Sequence, residues 1–407
     1  MKGKQKVHSL TGRITIDAMF KAFLAVKRNR GVAGIDKVTI IMYEANLEEN
    51  LISLMKGLKT GSYQPYPLKR TYIPKSETEV RPLGIPSVRD RVAQEVVRSL
   101  LNPIFERLFH DMSFGFRAGR NCHKAINAVL ALHRQGYNVI LDADLKGFFD
   151  NIPHHVIMEG VASEVADGNI LRLVKKFLSS GVMEDNVLRP TTCGTPQGGV
   201  ISPLLANIVL NHLDWQLDKH GYHIVRYADD FVVACSNFKE ANEALNLAQY
   251  VLSSLGLKLN LDKTTITTYG KGYSFLGFKL SSRSRNMRPK SVKKFKDKIR
   301  ETTVRKYNLD AKVIVKLNQI IRGTANYFAT DFSTCRWLFQ KLDSWIRMRL
   351  RCMKYKQKSQ NDNKRLRVKT FSRKFGLLSL EEFCFDPHTK ERKVIPRLGA
   401  LSIGVAR

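Results

Sequence analysis

Asp229 and Asp230 close the run Tyr227-Ala228-Asp229-Asp230, and a third acid, Asp144, ends the apolar run Val139-Ile140-Leu141-Asp142-Ala143-Asp144 far upstream. The chemistry open to such a set is cation binding and phosphoryl transfer. Adjacent carboxylates repel one another, so an ordered pair usually persists because a cation or cationic partner neutralises it. Mg²⁺ favours a few carboxylates plus substrate phosphates over an all-protein cage. Two such ions, roughly 3.5–4 Å apart, stabilise the attacking and leaving oxygens of an in-line displacement. A solvated turn accounts for Asp-Asp with no ligand at all, and a four-letter match carries its own false-positive risk. Asp142 shares a strand face with Asp144 and is a candidate supporting acid; Asp150 reads as a helix N-cap.

Two β-branched and aromatic runs, His223–Arg226 and Phe231–Ala234, flank the acid pair, which predicts a β-hairpin with Tyr-Ala-Asp-Asp at its tip. A strand ending at Asp144 must reach that tip for the three carboxylates to meet. Around these elements the pattern predicts a hairpin over Lys69–Pro74 and Val80–Ile85, and helices over Arg89–His110, Cys122–Arg134, Leu171–Leu178 and Lys239–Leu255. Val182–Pro190 reads as another hairpin. Residues 1–65 are basic and helical in pattern, interrupted by a loop at Arg30–Asp36; His154 and His155 sit at a helix start and read as structural.

The chain resembles the group II intron-encoded reverse transcriptase/maturase family. The resemblance rests on seven blocks in order: Arg70–Pro86, Phe114–Arg120, Asp144–Asp150, Thr192–Ile208, Arg226–Val233, Gly256–Thr264 and Ser274–Phe278. It implies Asp144, Asp229 and Asp230 as catalytic carboxylates holding two Mg²⁺ ions, with Leu145 completing the metal site. It implies Lys75, Arg81 and Lys263 near the nucleotide phosphates, Gln197 and Gly198 against its sugar and base, and Phe149 as a ring that excludes a 2′-hydroxyl. Arg117, Arg120, Tyr227 and Gly277 would contact primer or template. Ser202-Pro203 stands where diversity-generating enzymes carry Ser-Gln, and the late Val-Thr-Gly of retron enzymes is absent. Ala118 replaces the family's usual Pro, and Thr324 its common Trp in the segment Leu317–Phe328. The last stretch lacks the paired Cys and His residues of the endonuclease domain that some relatives carry, so second-strand cleavage is not expected.

The implied fold is α+β: a right-hand polymerase with an antiparallel palm sheet, helix-rich fingers and a helical thumb. The implied division is an N-terminal extension (1–65), fingers and palm (66–285), thumb or maturase domain (286–355) and a basic C-terminal segment (356–407), in which Lys356–Lys364 looks like a linker. The formal charge of +32 over 407 residues points to a polyanion. Expected partners are an RNA template, including structured intron RNA, a DNA or RNA primer and dNTPs. The longest apolar run is too short to span a bilayer, the N-terminus lacks an apolar signal core, and the six cysteines show no zinc spacing. No membrane partner and no zinc are expected, and the location is expected to be cytoplasmic. The implied reaction is RNA-templated addition of deoxynucleotides to a primer 3′-OH; a non-mobile enzyme of defence or repair and a splicing cofactor without polymerase activity are the alternatives.

Overall fold

Threonines start the first two helices. Thr15 and Thr39 each accept, at 3.2 Å, the amide of the residue three positions on, opening α1 (Ile16–Arg28) and α2 (Ile40–Ala45). α3 (Leu47–Thr60) buries Leu51, Leu54 and Leu58 at helical spacing and ends at Gly61 in the left-handed region. The molecule is known from a computed structural model, which describes residues 6–74 and 80–385. Its contacts divide the chain into two units, Met1–Ile266 and Thr267–Arg407.

In the first unit, β1 (Leu68–Pro74) and β2 (Val80–Ile85) pair antiparallel, Lys69 opposite Ile85 and Pro74 opposite Val80. Ser87 caps α4 (Val88–Glu106), which runs on past Pro103 and is buried along most of its length. α1, α2 and α3 pack with α4, and their buried side chains belong to one core with those of the later helices. α5 (Cys122–Arg134) leads into β3 (Val139–Asp144), followed by α6 (Phe148–Asn151), α7 (His154–Ala162) and α8 (Gly168–Leu178). β4 (Val182–Glu184) and β5 (Val187–Arg189) form a small hairpin that extends the first sheet to the order β2-β1-β4-β5. α9 (Ser202–Lys219) starts with Pro203 in its first turn, then β6 (His223–Tyr227) and β7 (Asp230–Cys235) make the acid-tipped hairpin, followed by α10 (Phe238–Ser254). With β8 (Thr265–Thr268) the order of the second sheet is β6-β7-β3-β8. α5, α9 and α10 pack on its strands, so Ile140, Leu141, Ile224, Phe231 and Val233 are fully covered. That seals a rigid floor beneath the acids.

The second unit opens with β9 (Tyr273–Phe275), β10 (Phe278–Leu280) and β11 (Arg285–Met287), ordered β11-β10-β9, and continues as α11 (Pro289–Thr302), α12 (Ala311–Phe328), α13 (Arg336–Tyr355), α14 (Asp362–Arg365) and α15 (Val368–Arg373). The Phe278 ring packs 4.9 Å from that of Phe328 and 5.8 Å from that of Tyr327. The tract Lys356–Lys364 is not the free linker its polarity suggests. The Lys356 ammonium donates to the carbonyls of Arg305 and Tyr307 at 2.9 and 2.7 Å, and Asp362 is buried. Among the described residues, no helix is long and apolar enough to cross a membrane.

One close approach fixes the entry to α4. A Cβ on Gly34 would lie 2.6 Å from the Ser87 Cα, so only glycine lets the loop cross the cap. Gly34→Ala is expected to cost about 1–3 kcal/mol of the first unit's stability. A urea-unfolding midpoint equal to the parent's would contradict this contact.

Candidate active site

The turn of the acid hairpin is tight. Tyr227 and Asp230 pair across it, leaving Ala228 and Asp229 between them, and Ala228 takes φ 60°, a region that disfavours a side chain. What holds it there is Arg226, two residues earlier and fully buried. Its Nε and Nη2 donate to the two carboxylate oxygens of Asp214 at 2.7 and 2.6 Å. Nη1 donates to Asn207 Oδ1 at 3.0 Å and to the Ala228 carbonyl at 2.8 Å, while Nη2 also reaches Ser113 Oγ at 2.8 Å. From the other side Gly115 presses on the turn: a Cβ there would meet the Ala228 nitrogen at 2.3 Å. Asn207 donates to the Gly115 carbonyl at 2.9 Å, so α9, β6 and the Phe114–Arg120 loop converge on one peptide.

β3 brings the upstream acid to this turn. Asp144 lies opposite Asp230 in the β3–β7 ladder, so their side chains share a face of the sheet, with Asp142 opposite Val232 on that same face. Asp229, in the turn, has its carboxyl pKa raised, first by burial and further by the charge of Asp144, with Arg81 and Arg226 opposing. The Asp144 carboxylate accepts from Lys263 Nζ at 3.1 Å and from Asn260 Nδ2 at 3.4 Å, and its carbonyl accepts the Asn260 amide at 2.8 Å. Leu145 bridges to Leu259. Lys263 therefore supplies the positive charge beside Asp144. Among the described residues, no group of three or more His, Cys, Asp or Glu side chains converges as a ready-made metal cage. An oxygen-only pair of carboxylates with room for substrate phosphate is nonetheless the donor set that suits Mg²⁺.

Asp144 and Asp229 open onto a cavity of about 780 Å³. Arg81, Leu145, Phe149, Gln197, Gly198 and Lys263 line it too, so most of the residues singled out in the sequence meet there. Lys75 lies outside the described residues. Gly198, at φ 116°, packs so near β2 that a Cβ would sit 2.5 Å from the Gly84 carbonyl, and the Gly84 amide donates to the Gln197 carbonyl at 2.9 Å. The Gln197 side chain donates to the Asp150 carboxylate at 2.9 Å. Asp150 is accordingly no N-cap: it lies inside α6, and α7 begins after Pro153 without a side-chain cap. Burial raises the Asp150 pKa, and Arg70, Gln197 and Arg81 pull it back. His154 holds the Gly194 carbonyl at 2.9 Å, a structural use.

Of the expected primer and template contacts, Arg117, Arg120 and Tyr227 do not line this cavity. Arg117 is buried, donating to Glu106 Oε1 at 2.9 Å and to the His110 and Ser113 carbonyls at 2.7 and 2.8 Å, which shapes its own loop. Arg120 pairs with Asp111 at 2.9 Å at the surface. Gly277 belongs to the second unit, at φ 83° in the turn between β9 and β10, its carbonyl accepting from the Arg288 amide at 3.0 Å. Tyr227 is half-buried in the hairpin, its hydroxyl pKa pushed up to about 12 by a hydrogen bond with Cys122 and by burial.

Sequence reasoning passed over Phe116, Asn260 and the partners of Arg226. Phe116 carries φ 60°, lines the cavity and meets the Phe149 ring edge-on at 6.4 Å. The one readable signal was an arginine inside an otherwise apolar strand, which demands a buried acid somewhere.

The family described as reverse transcriptase (RNA-dependent DNA polymerase) matches residues 73–280, and that of the group II intron, maturase-specific domain matches residues 292–371. Protein YkfC of Escherichia coli is 36% identical, covering 61% of this chain and 75% of YkfC. The group II intron-encoded protein LtrA of Lactococcus lactis is 28% identical, covering 70% of this chain and 65% of LtrA. A solved structure of telomerase from Candida albicans with a fragment of telomeric RNA aligns at 15% identity and a TM-score of 0.44, over 82% of this chain and 67% of that one.

Breaking the buried pair tests its part in the site. Arg226→Met leaves Asp214 charged and unpaired, and is expected to cost about 3–5 kcal/mol in denaturant unfolding. Adding Asp214→Leu should restore much of that stability; a single variant as stable as the parent would contradict the assignment.

Proposed function

The chain belongs to the group II intron reverse transcriptase/maturase family, RNA-directed DNA polymerases that also assist splicing, and from that premise we propose that Asp144, Asp229 and Asp230 form its polymerase centre. The observation that carries this reading is the meeting of Asp144 and Asp229 in one cavity with Arg81 and Lys263, while Asp230 faces Asp144 across the ladder. Asp144, the neighbouring Leu145, Asp229 and Asp230 would hold two Mg²⁺ ions. Bound there, they lower the pKa of the attacking 3′-hydroxyl and steady the leaving pyrophosphate.

The chain's own residues do the rest. Lys263, paired with Asp144, and Arg81 line the same cavity and would meet the phosphates of an incoming nucleotide, Arg81 as a bidentate fork; Lys75, outside the described residues, is assigned the same role from the family resemblance alone. Gln197, oriented by its hydrogen bond with Asp150, and Gly198, held against β2, form the wall on which base and sugar rest. Phe149, braced by Phe116 and Phe148, fills the space of a 2′-hydroxyl and so selects deoxynucleotides. Tyr227, Arg120 and Gly277 contact primer or template, and Arg117 shapes the loop that bears Arg120.

We assign residues 1–65 as an extension toward template RNA, 66–285 as fingers and palm of a right-hand polymerase, 286–355 as the thumb or maturase domain, and 356–407 as a basic appendage. The gap between the two family matches, after residue 280 and before residue 292, supports the boundary at 285/286, whereas the second match runs on to residue 371. The partners are an RNA template, structured intron RNA, a DNA or RNA primer and dNTPs, and the place of action is the cytoplasm. The charge of +32 supports a polyanionic partner held chiefly through phosphates.

Primer extension on an RNA template with Mg²⁺ and dNTPs tests the centre: the parent extends and Asp229→Ala does not, while both bind RNA alike. Extension by Asp229→Ala at the parental rate would refute the assignment. In the same assay Phe149→Ala should raise ribonucleotide incorporation at least tenfold, on the order of 1.4 kcal/mol of lost discrimination. An unchanged preference would remove Phe149 as the gate.

A further inference from the structure

The second unit carries a cavity that none of this chemistry uses. It has a volume of about 480 Å³ and lies where β10 and β11 meet α11 and the start of α13. One wall is apolar, with Met287, Val292 and Leu338; the other is cationic, with Lys279, Lys293, Lys296 and Arg300, and among the described residues no carboxylate lines it. At its edge stands Trp337, 66% exposed in the first turn of α13. The ammonium of Lys341, one helical turn on, lies 3.4 Å from the Trp337 ring centroid. Arg300 is partly engaged, donating to Asp297 at 2.5 Å, and together with Lys296 it flanks the ring of Trp345.

An indole two-thirds exposed at the edge of a cavity of this charge presents an accessible ring to a ligand held there. A flat aromatic face with cations around it fits an unpaired nucleobase and its phosphate: the base stacks on the ring whatever its identity, and the ammonium groups neutralise the backbone. A paired duplex has its bases already stacked and offers the cavity phosphates alone. We propose that this cavity binds one unpaired nucleotide of RNA, with Trp337 as the stacking platform and Lys279, Lys293 and Lys296 on the adjoining phosphates. The inference deepens the RNA-binding reading of the region that matches the maturase-specific domain, and rests on it.

Binding without dNTPs tests it in the full-length chain, independently of polymerisation. Trp337→Ala should weaken binding of a single-stranded oligoribonucleotide roughly tenfold or more. Trp337→Phe should retain most of the affinity, and a blunt duplex of equal length should bind both variants within about twofold of the parent. A single-stranded probe carrying 5-iodouridine should crosslink to Trp337 of the parent, read by mass spectrometry. Equal losses on single strand and duplex, or no loss on either, would overturn the proposal. Should Trp337→Ala lower the unfolding temperature, the crosslink on the parent decides: an adduct on Trp337 upholds the site, and adducts confined to other residues overturn it. A parent that binds no RNA of either kind would instead defeat the functional reading on which the site rests.

Discussion

Arg226 has no exposed surface and stands one residue before a turn that holds a catalytic-type carboxylate, so the position of the acids depends on how that guanidinium is satisfied. Burying an ion pair costs desolvation that its attraction only partly returns, and an apolar pair of like volume is often as stable. The Arg226–Asp214 pair is therefore better understood as a device for geometry. Two of its donors lock onto α9 through Asp214, and a third holds the Ala228 carbonyl at 2.8 Å. A hydrophobic substitute could fill that space but could not hold a backbone carbonyl in a left-handed turn.

The rest of the cavity is built by similarly close fits of backbone to backbone. Gly115 against Ala228, Gly198 against Gly84 and Gly194 against the Asp150 carbonyl leave no room for a Cβ. These contacts join the acid hairpin to the Phe114–Arg120 loop, and the Thr192–Ile208 segment to β2 and to α6. The phosphoryl-transfer site proposed for this cavity would need its carboxylates and cations placed before substrate arrives, since preorganised charge is a main source of such catalysis. Lys263 beside Asp144 fits that demand, because its ammonium, 3.1 Å from the carboxylate, offsets part of the repulsion between the acids.

Much of this was legible from the chain where the signal is local. β2 and α5 run between the very residues predicted, and the acid hairpin needed only the alternation around Tyr227–Asp230. What the pattern could not carry was partnership at long range. Nothing near Asp150 tells that Gln197 will hold it, and nothing near Arg226 names Asp214 or Ser113. The polar tract after Tyr355 looked like a linker because composition reports solubility and cannot foresee a buried Asp362. The family resemblance supplied the candidate residues; their distances came only with the fold.

The most direct test of the account is to count the ions. With primer, RNA template and a non-reactive deoxynucleotide bound, Mn²⁺ titration followed by electron paramagnetic resonance should find two tightly held ions per chain. Arg226→Met, in the fraction that remains folded, should hold them more weakly although it touches neither. Finding no tight Mn²⁺ in the parent, or undiminished binding in a folded Arg226→Met, would contradict the claim that this buried pair sets the carboxylates for metal.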